Sequence, residues 1–161
     1  MTGGNNNSKV NSTLANQLAL YVTLYSPLQM AADFPEHYEK YMDAFQFIKD
    51  VAVDWQRTEY LLAEPGDYLV IARQAKNSGQ WFVGGVTDEQ KRTVEFPLNF
   101  LEEGKQYKAT IYADAADADY AVNPQAYTIT TMLVTSDDCL SLDMARAGGF
   151  AISMVELGSK K

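Results

Sequence analysis

Histidine and cysteine are nearly absent from this chain: of its 161 residues, one is a cysteine and one is a histidine. A lone Cys139 excludes an intrachain disulfide. A lone His37 falls short of the several imidazoles that histidine-built metal sites use. Nothing pairs His37 with a nucleophile-elbow sequence, so a Ser-His-Asp type of hydrolytic triad is not expected. Basic residues are outnumbered, 13 Lys and Arg against 21 Asp and Glu, which leaves a formal net charge of −8. Nucleic acid and anionic membrane would both repel such a surface, so neither is expected as a partner. No uninterrupted apolar run reaches the roughly 18 residues that suggest a membrane span. The opening "MTGGNNNSKV" lacks the charged-then-apolar layout of a secretory signal. Residues 1–11 are expected to be a flexible leader, and no location is assigned to the chain on this ground.

Apolar and aromatic residues are plentiful, at 47% and 12%, enough for the core of one domain. Leu14, Leu18, Tyr21 or Val22, and Tyr25 recur at helical spacing, with Leu20 and Leu24 on another side. A helix this widely apolar needs cover from a larger body. Asn11 or Ser12 is the expected cap. Pro27 interrupts the helix, and "PLQMAAD" is expected to continue as a short buried segment up to Pro35. A second helix is expected from Pro35 or Glu36 to about Ile48, with Tyr38, Tyr41 or Met42, Phe45 and Ile48 on one side.

From about residue 57 the apolar period changes to 2. "RTEYLLAEPGDYLVIARQA" reads as two strands around a Glu64-Pro65-Gly66-Asp67 turn, and "QWFVGGV" follows the turn at Lys76–Gly79. "RTVEFPL", "QYKATIYA", "YTITTMLVT", "CLSLDM" and "GFAISMV" complete the set. The predicted fold is mainly β with an N-terminal helical segment: an antiparallel β-sandwich of about eight strands preceded by two helices.

Few residues suggest chemistry. Asp114, Asp117 and Asp119 in "YADAADADY" form the densest carboxylate cluster, and hard cations favour such oxygens. The glycine and closing glutamate of a calcium loop are missing, which favours a solvated acidic loop. Asp137-Asp138 reads as a turn, and Cys139 as a small core residue. Tyr68, Trp81, Phe82, Tyr107, Tyr112, Tyr120 and Tyr127 could together stack on sugar rings, although aromatics in strands more often fill a core. Gly84-Gly85 suggests a bulge or a close backbone approach. No catalytic residue, no metal ligand and no cofactor-binding residue is assigned.

Particular words of the sequence carry a resemblance. "STLANQLALYVTLYSPLQMAADFPEHYE", "AFQFIKDVAVDW", "EPGDYLVIARQAK", "WFVGGVTDE", "YKATIYADAADADY", "NPQAYTI" and "GGFAIS" together resemble the C-terminal part of a glycoside hydrolase family 97 enzyme. That family comprises bacterial α-glucosidases and α-galactosidases. The likeness covers residues 11 to about 155.

The resemblance implies a division of the chain. Residues 12–50 would be the helical end of a catalytic (β/α)8 barrel, residues 51–157 the C-terminal β-sandwich, and 158–161 a tail. It implies a structural, oligomerising role, with a homo-oligomer and the catalytic barrel as partners. Calcium and a periplasmic location are implied for the full-length enzyme, not for this chain. Glycoside hydrolysis needs two carboxyl groups set across the sugar, and the resemblance places them upstream of the matched segment. Barrel sites form at the C-terminal ends of strands, so Gln29 and Asp33 are the expected rim residues of a substrate pocket. The alternatives are a stand-alone carbohydrate-binding module and a hydrolase built on Asp114, Asp117 and Asp119.

Overall fold

The computed structural model describes residues 10–31 and 34–158. Two antiparallel sheets follow a helical segment, as the change of period predicts. Strands β1 (Trp55–Glu64), β2 (Tyr68–Ala75), β3 (Trp81–Thr87), β5 (Tyr107–Asp114), β6 (Tyr127–Val134) and β8 (Gly149–Glu156) form a six-stranded sheet. Its order is β1-β2-β3-β8-β5-β6. Strands β4 (Arg92–Pro97) and β7 (Cys139–Met144) pair as a separate ribbon.

The turns follow local chemistry. At Glu64–Asp67 the chain reverses through Pro65, whose ring presets its φ, and Gly66, which adopts φ +93°. The Asp67 N–H closes that turn on the Glu64 carbonyl at 3.0 Å. Asp137 and Asp138 also lie in a turn, where Asp138 Oδ2 accepts from the Thr135 N–H at 2.7 Å.

Between the sheets lies one core. Val70, Ala72, Trp81, Val83, Tyr107, Ala109, Ile111, Phe150, Ile152 and Met154 of the large sheet meet Val94, Phe96, Leu140 and Met144 of the ribbon. Leu98, Phe100 and Leu101 close it from the loop after β4. Phe96 stacks on Phe150 with centroids 5.7 Å apart.

The opposite face of the large sheet is covered as well, by the helices. Helix α1 (Leu14–Thr23) lays Leu14, Leu18 and Val22 on it. Phe47 of α3 (Met42–Asp50) inserts between Phe82 and Tyr112, edge-on to both rings at 6.1 and 5.3 Å. The molecule therefore has three layers: helices, six-stranded sheet, two-stranded ribbon. Cover on both faces is why β2, β3 and β8 carry nearly unbroken apolar runs.

Three expectations need correction, and the second helix stands where it was expected, over residues 35–50, with an internal break. The cap of α1 is Thr13, whose hydroxyl accepts from the Asn16 N–H at 3.1 Å, not Asn11 or Ser12. The chain turns into the helix there because the Thr13 and Leu14 amides bond the Ala147 and Pro124 carbonyls. The second helix is broken: α2 (Pro35–Tyr38) ends in a 3-10 turn over Glu39–Tyr41, and α3 begins after Tyr41 leaves helical angles at φ −136°. Leu28 and Met30 of the segment after Pro27 are exposed rather than buried among the described residues. Cys139 is exposed as well, since its strand alternates and Leu140, not Cys139, points inward.

Candidate functional site

The acidic cluster does not converge. Asp114 stands at the end of β5 and turns toward the β7–β8 loop, where its Oδ2 accepts from Ala145 N–H at 2.9 Å and Gly149 N–H at 2.7 Å. Asp117 accepts from the Asn123 amide at 2.9 Å. Asp119 accepts from the Ala121 N–H at 2.8 Å and pairs with Arg146 at 3.4 Å. Each carboxylate is committed to its own stretch of backbone or its own partner. Among the described residues no three His, Cys, Asp or Glu side chains group as metal ligands would.

Electrostatics agrees with this division of labour. Burial pushes the Asp114 carboxyl above the usual aspartate range, against the pull of the Thr13 hydroxyl and the two amides. Asp119 is held below that range, first by the Ala121 N–H and then by Arg146. The two acids differ, by the burial of one and the hydrogen bonds and Arg146 partner of the other.

The aromatic residues are dispersed too. Trp81 and Tyr107 fill the inter-sheet core, while Phe82 and Tyr112 lie under the helices. Tyr68 sits beneath Arg92 at 5.4 Å and Tyr120 beneath Arg146 at 5.1 Å. Tyr127 donates to Asp43 at 2.6 Å. No shared stacking face results among these seven.

A groove of about 400 Å³ runs along the β1–β2 turn, lined by Glu64, Pro65, Asp67, Tyr68, Thr87 and Asp88. Arg92 holds three of these residues: it donates to Asp88, to Thr87 at 2.6 Å, and faces Asp67 at 3.4 Å. Arg92 thereby ties the β1–β2 turn to the loop after β3.

Gln29 is half-buried in the loop after α1, where its Nε2 donates to the Leu24 and Ser26 carbonyls at 3.3 and 3.4 Å. Asp33 lies outside the described residues. His37 is half-buried near the start of α2 and meets Phe34 edge-on at 6.2 Å. Leu24, Tyr25, Leu28 and Met30, at the end of α1 and in the loop after it, all stand open to solvent.

Sequence reasoning did not single out Arg73, which is buried and joins the helix layer to β1 through the Val22 carbonyl and the Thr58 hydroxyl. A charged residue within the apolar run "YLVIARQA" was the available signal.

The features of this chain are thus surfaces and loop clamps, and its relatives are consistent with that. Residues 54–155 match the family described as glycosyl-hydrolase 97 C-terminal, oligomerisation. A retaining alpha-galactosidase of Bacteroides thetaiotaomicron is 33% identical over 142 residues, which cover 88% of this chain and 21% of that protein. A probable retaining alpha-galactosidase of Streptomyces bingchenggensis is 31% identical over 137 residues, covering 85% of this chain and 20% of its own length. Among solved structures, a glycoside hydrolase family 97 enzyme from Pseudoalteromonas sp. strain K8, in complex with acarbose, matches with a TM-score of 0.90 and 48% identity. That match takes in 92% of this chain, helices included, and 23% of the enzyme. This chain spans about a fifth of the length of the curated relatives it matches. By its residues 54–155 and by these relatives, the chain belongs to the C-terminal oligomerisation domain family of the family 97 glycoside hydrolases.

Proposed function

We propose that this chain is the non-catalytic C-terminal portion of a family 97 glycosidase, serving self-association and the support of a catalytic barrel that hydrolyses α-glycosides. The observation that carries the reading is the match of residues 54–155 to an oligomerisation domain within relatives about four times as long as this chain. The dispersal of Asp114, Asp117 and Asp119 onto separate local partners supports it further. Hydrolysis needs two carboxyl groups about 5 to 10 Å apart across one sugar, and each of these three is already bound elsewhere.

Residues 12–50 are proposed to be the end of that barrel, and the exposed apolar loop around Leu28 and Met30 to be the face that meets its remainder. Gln29 and Asp33 would then stand near the rim of the substrate pocket. Calcium of the full-length enzyme would be held by residues upstream, since the acids here diverge.

Turnover and association test this together. The chain alone, with calcium added, should release no nitrophenol from nitrophenyl α-galactoside or α-glucoside, and should sediment as an oligomer. Sustained release of nitrophenol would overturn the non-catalytic reading, and a monomer at every concentration would overturn the self-association.

A further inference from the structure

The six-stranded sheet has two open edges, β1 and β6, and they are built differently. Edge strands expose unpaired backbone donors and acceptors, so proteins that must not associate there bend, bulge or charge them. The β1 edge carries two of these guards, irregular register and charge. Its register with β2 shifts twice, between Trp55 and Arg57 and between Tyr60 and Leu62. It also carries Arg57, Glu59 and Glu64, with Arg57 and Glu59 joined at 2.7 Å.

The β6 edge has none of them. "YTITTMLV" contains no charged residue, no proline and no glycine. Eight consecutive residues pair with β5 without a register shift, and β5 is the only strand β6 pairs with among the described residues. Thr128, Thr130, Thr131, Met132 and Leu133 are exposed.

The direction of its backbone groups follows from one bond. The Ala115 N–H donates to the Ala126 carbonyl at 3.2 Å, continuing the β5–β6 ladder. In an antiparallel ladder the residues that bond the neighbour alternate with those that face away. Thr128, Thr130, Met132 and Val134 therefore bond β5, and Tyr127, Ile129, Thr131 and Leu133 present their N–H and C=O groups outward.

We propose that β6 is the self-association edge of this chain, and that its partner is the β6 strand of a second copy. The two strands pair antiparallel about a two-fold axis and join two six-stranded sheets into one. Such a pairing is isologous, so one uncharged strand serves as both halves of the interface. Charge argues for the same occupant. A chain with net charge −8 repels its copy across most of its surface, and β6 is a full-length strand with no charge to oppose itself. With Thr131 at the axis, Ile129 of each copy stands opposite Leu133 of the other, and the outward amides of both strands are satisfied. The inference rests on the self-association read above and names the surface responsible.

The test is sedimentation of the whole chain from micromolar to sub-millimolar concentration, with Thr131→Pro, Leu133→Lys and, on the guarded edge, Glu64→Lys. Proline at 131 removes an outward N–H and leaves the bonds to β5 in place. Lysine at 133 adds a charge that meets its own copy. The wild type and Glu64→Lys should dimerise alike, while each β6 variant raises the dissociation constant at least about tenfold. Far-ultraviolet circular dichroism of the variants should match the wild type. Independently of any variant, amide exchange at Ile129, Thr131 and Leu133 should slow as wild-type concentration rises. A dimer insensitive to both β6 substitutions, with those amides unprotected, overturns the edge assignment and leaves self-association standing. A wild type that never dimerises overturns both.

Discussion

A side chain on Gly84 would begin 2.8 Å from the backbone carbonyl oxygen of Ala19. Gly84 lies in the middle of β3 and Ala19 in the middle of α1, so the helix sits directly on the sheet at this point. The neighbouring Val22 and Thr23 side chains lie 2.9 and 3.1 Å from the same position. Close seating of this kind requires glycine, because carbonyl oxygen cannot yield as a flexible side chain would.

Gly84→Ala should therefore lift α1 from the sheet and destabilise the protein by about 1 to 3 kcal/mol, the usual cost of overpacking. Gly158→Ala, with nothing within 4 Å of the added carbon, should change stability by less than about 0.5 kcal/mol. Urea midpoints for the two variants decide the matter. Equal effects would mean that the helix layer adjusts freely.

Arg73 fastens the same layer from the side. Its Nε donates to the Val22 carbonyl at 2.7 Å and Nη1 to the Thr58 hydroxyl at 3.2 Å, within a buried residue. The last carbonyls of a helix have no partner inside it, so Arg73 supplies one for α1. Arg73→Met keeps much of the volume and removes both donors. A loss of about 1.5 to 3 kcal/mol in chemical denaturation is expected, and Arg73→Lys should not restore it, because a single ammonium cannot reach both acceptors. Full recovery with lysine would show that charge, not the guanidinium fork, matters there.

Much of this fold was legible because period-2 patterning and turn residues are local signals. Val94, Phe96 and Leu98 alternate inward as their spacing implies, and Gly84 marks a close approach as a glycine inside a strand suggests. What stayed hidden depends on which surface meets which. An apolar composition states that cover is needed, not whether it comes from the same chain. Leu14, Leu18 and Val22 find it on their own sheet, while Leu28 and Met30 do not. Asp114, Asp117 and Asp119 cluster in sequence yet separate in space, because backbone amides, the Asn123 side chain and Arg146 draw each one elsewhere. The open β6 edge was present as an uncharged eight-residue run, but only the strand order reveals that it lies at a border.

Asp114 gives a pH dependence whose sign is fixed by its surroundings. Burial raises its folded pKa above the ordinary aspartate value. An acid raised on folding contributes stability that is present below its unfolded pKa and lost as pH rises through the folded one. Asp43, Asp88 and Asp119 are shifted the other way and lose stability on acidification, so the whole-protein profile is a composite. The difference between wild type and Asp114→Asn isolates the one group. Relative to the variant, wild type should lose stability as pH rises above about 4, the ordinary aspartate value, and on through the raised folded pKa. Thermal melts of both proteins across that range measure it, and a difference that grows in favour of wild type with rising pH would contradict the assignment.

Leu28 and Met30 are 72% and 74% exposed, and their replacement separates what they do for this chain from what they do for a larger one. Large apolar side chains left open in one loop, beside Leu24 and Tyr25, cost little to truncate in the isolated chain. Leu28→Ser with Met30→Ser should shift its stability by no more than about 0.5 kcal/mol. The same pair should lower binding of a hydrophobic fluorescent dye, since both side chains are exposed beside Leu24 and Tyr25. Dimerisation through β6 should be untouched, because the loop lies on the helix layer and β6 at the sheet border. In the full-length enzyme proposed above, where this sequence would join a catalytic barrel, the outcome should reverse. There the double substitution should uncouple the two parts, splitting one thermal transition into two. A single unchanged transition would mean that the barrel rests on some other face of the sandwich.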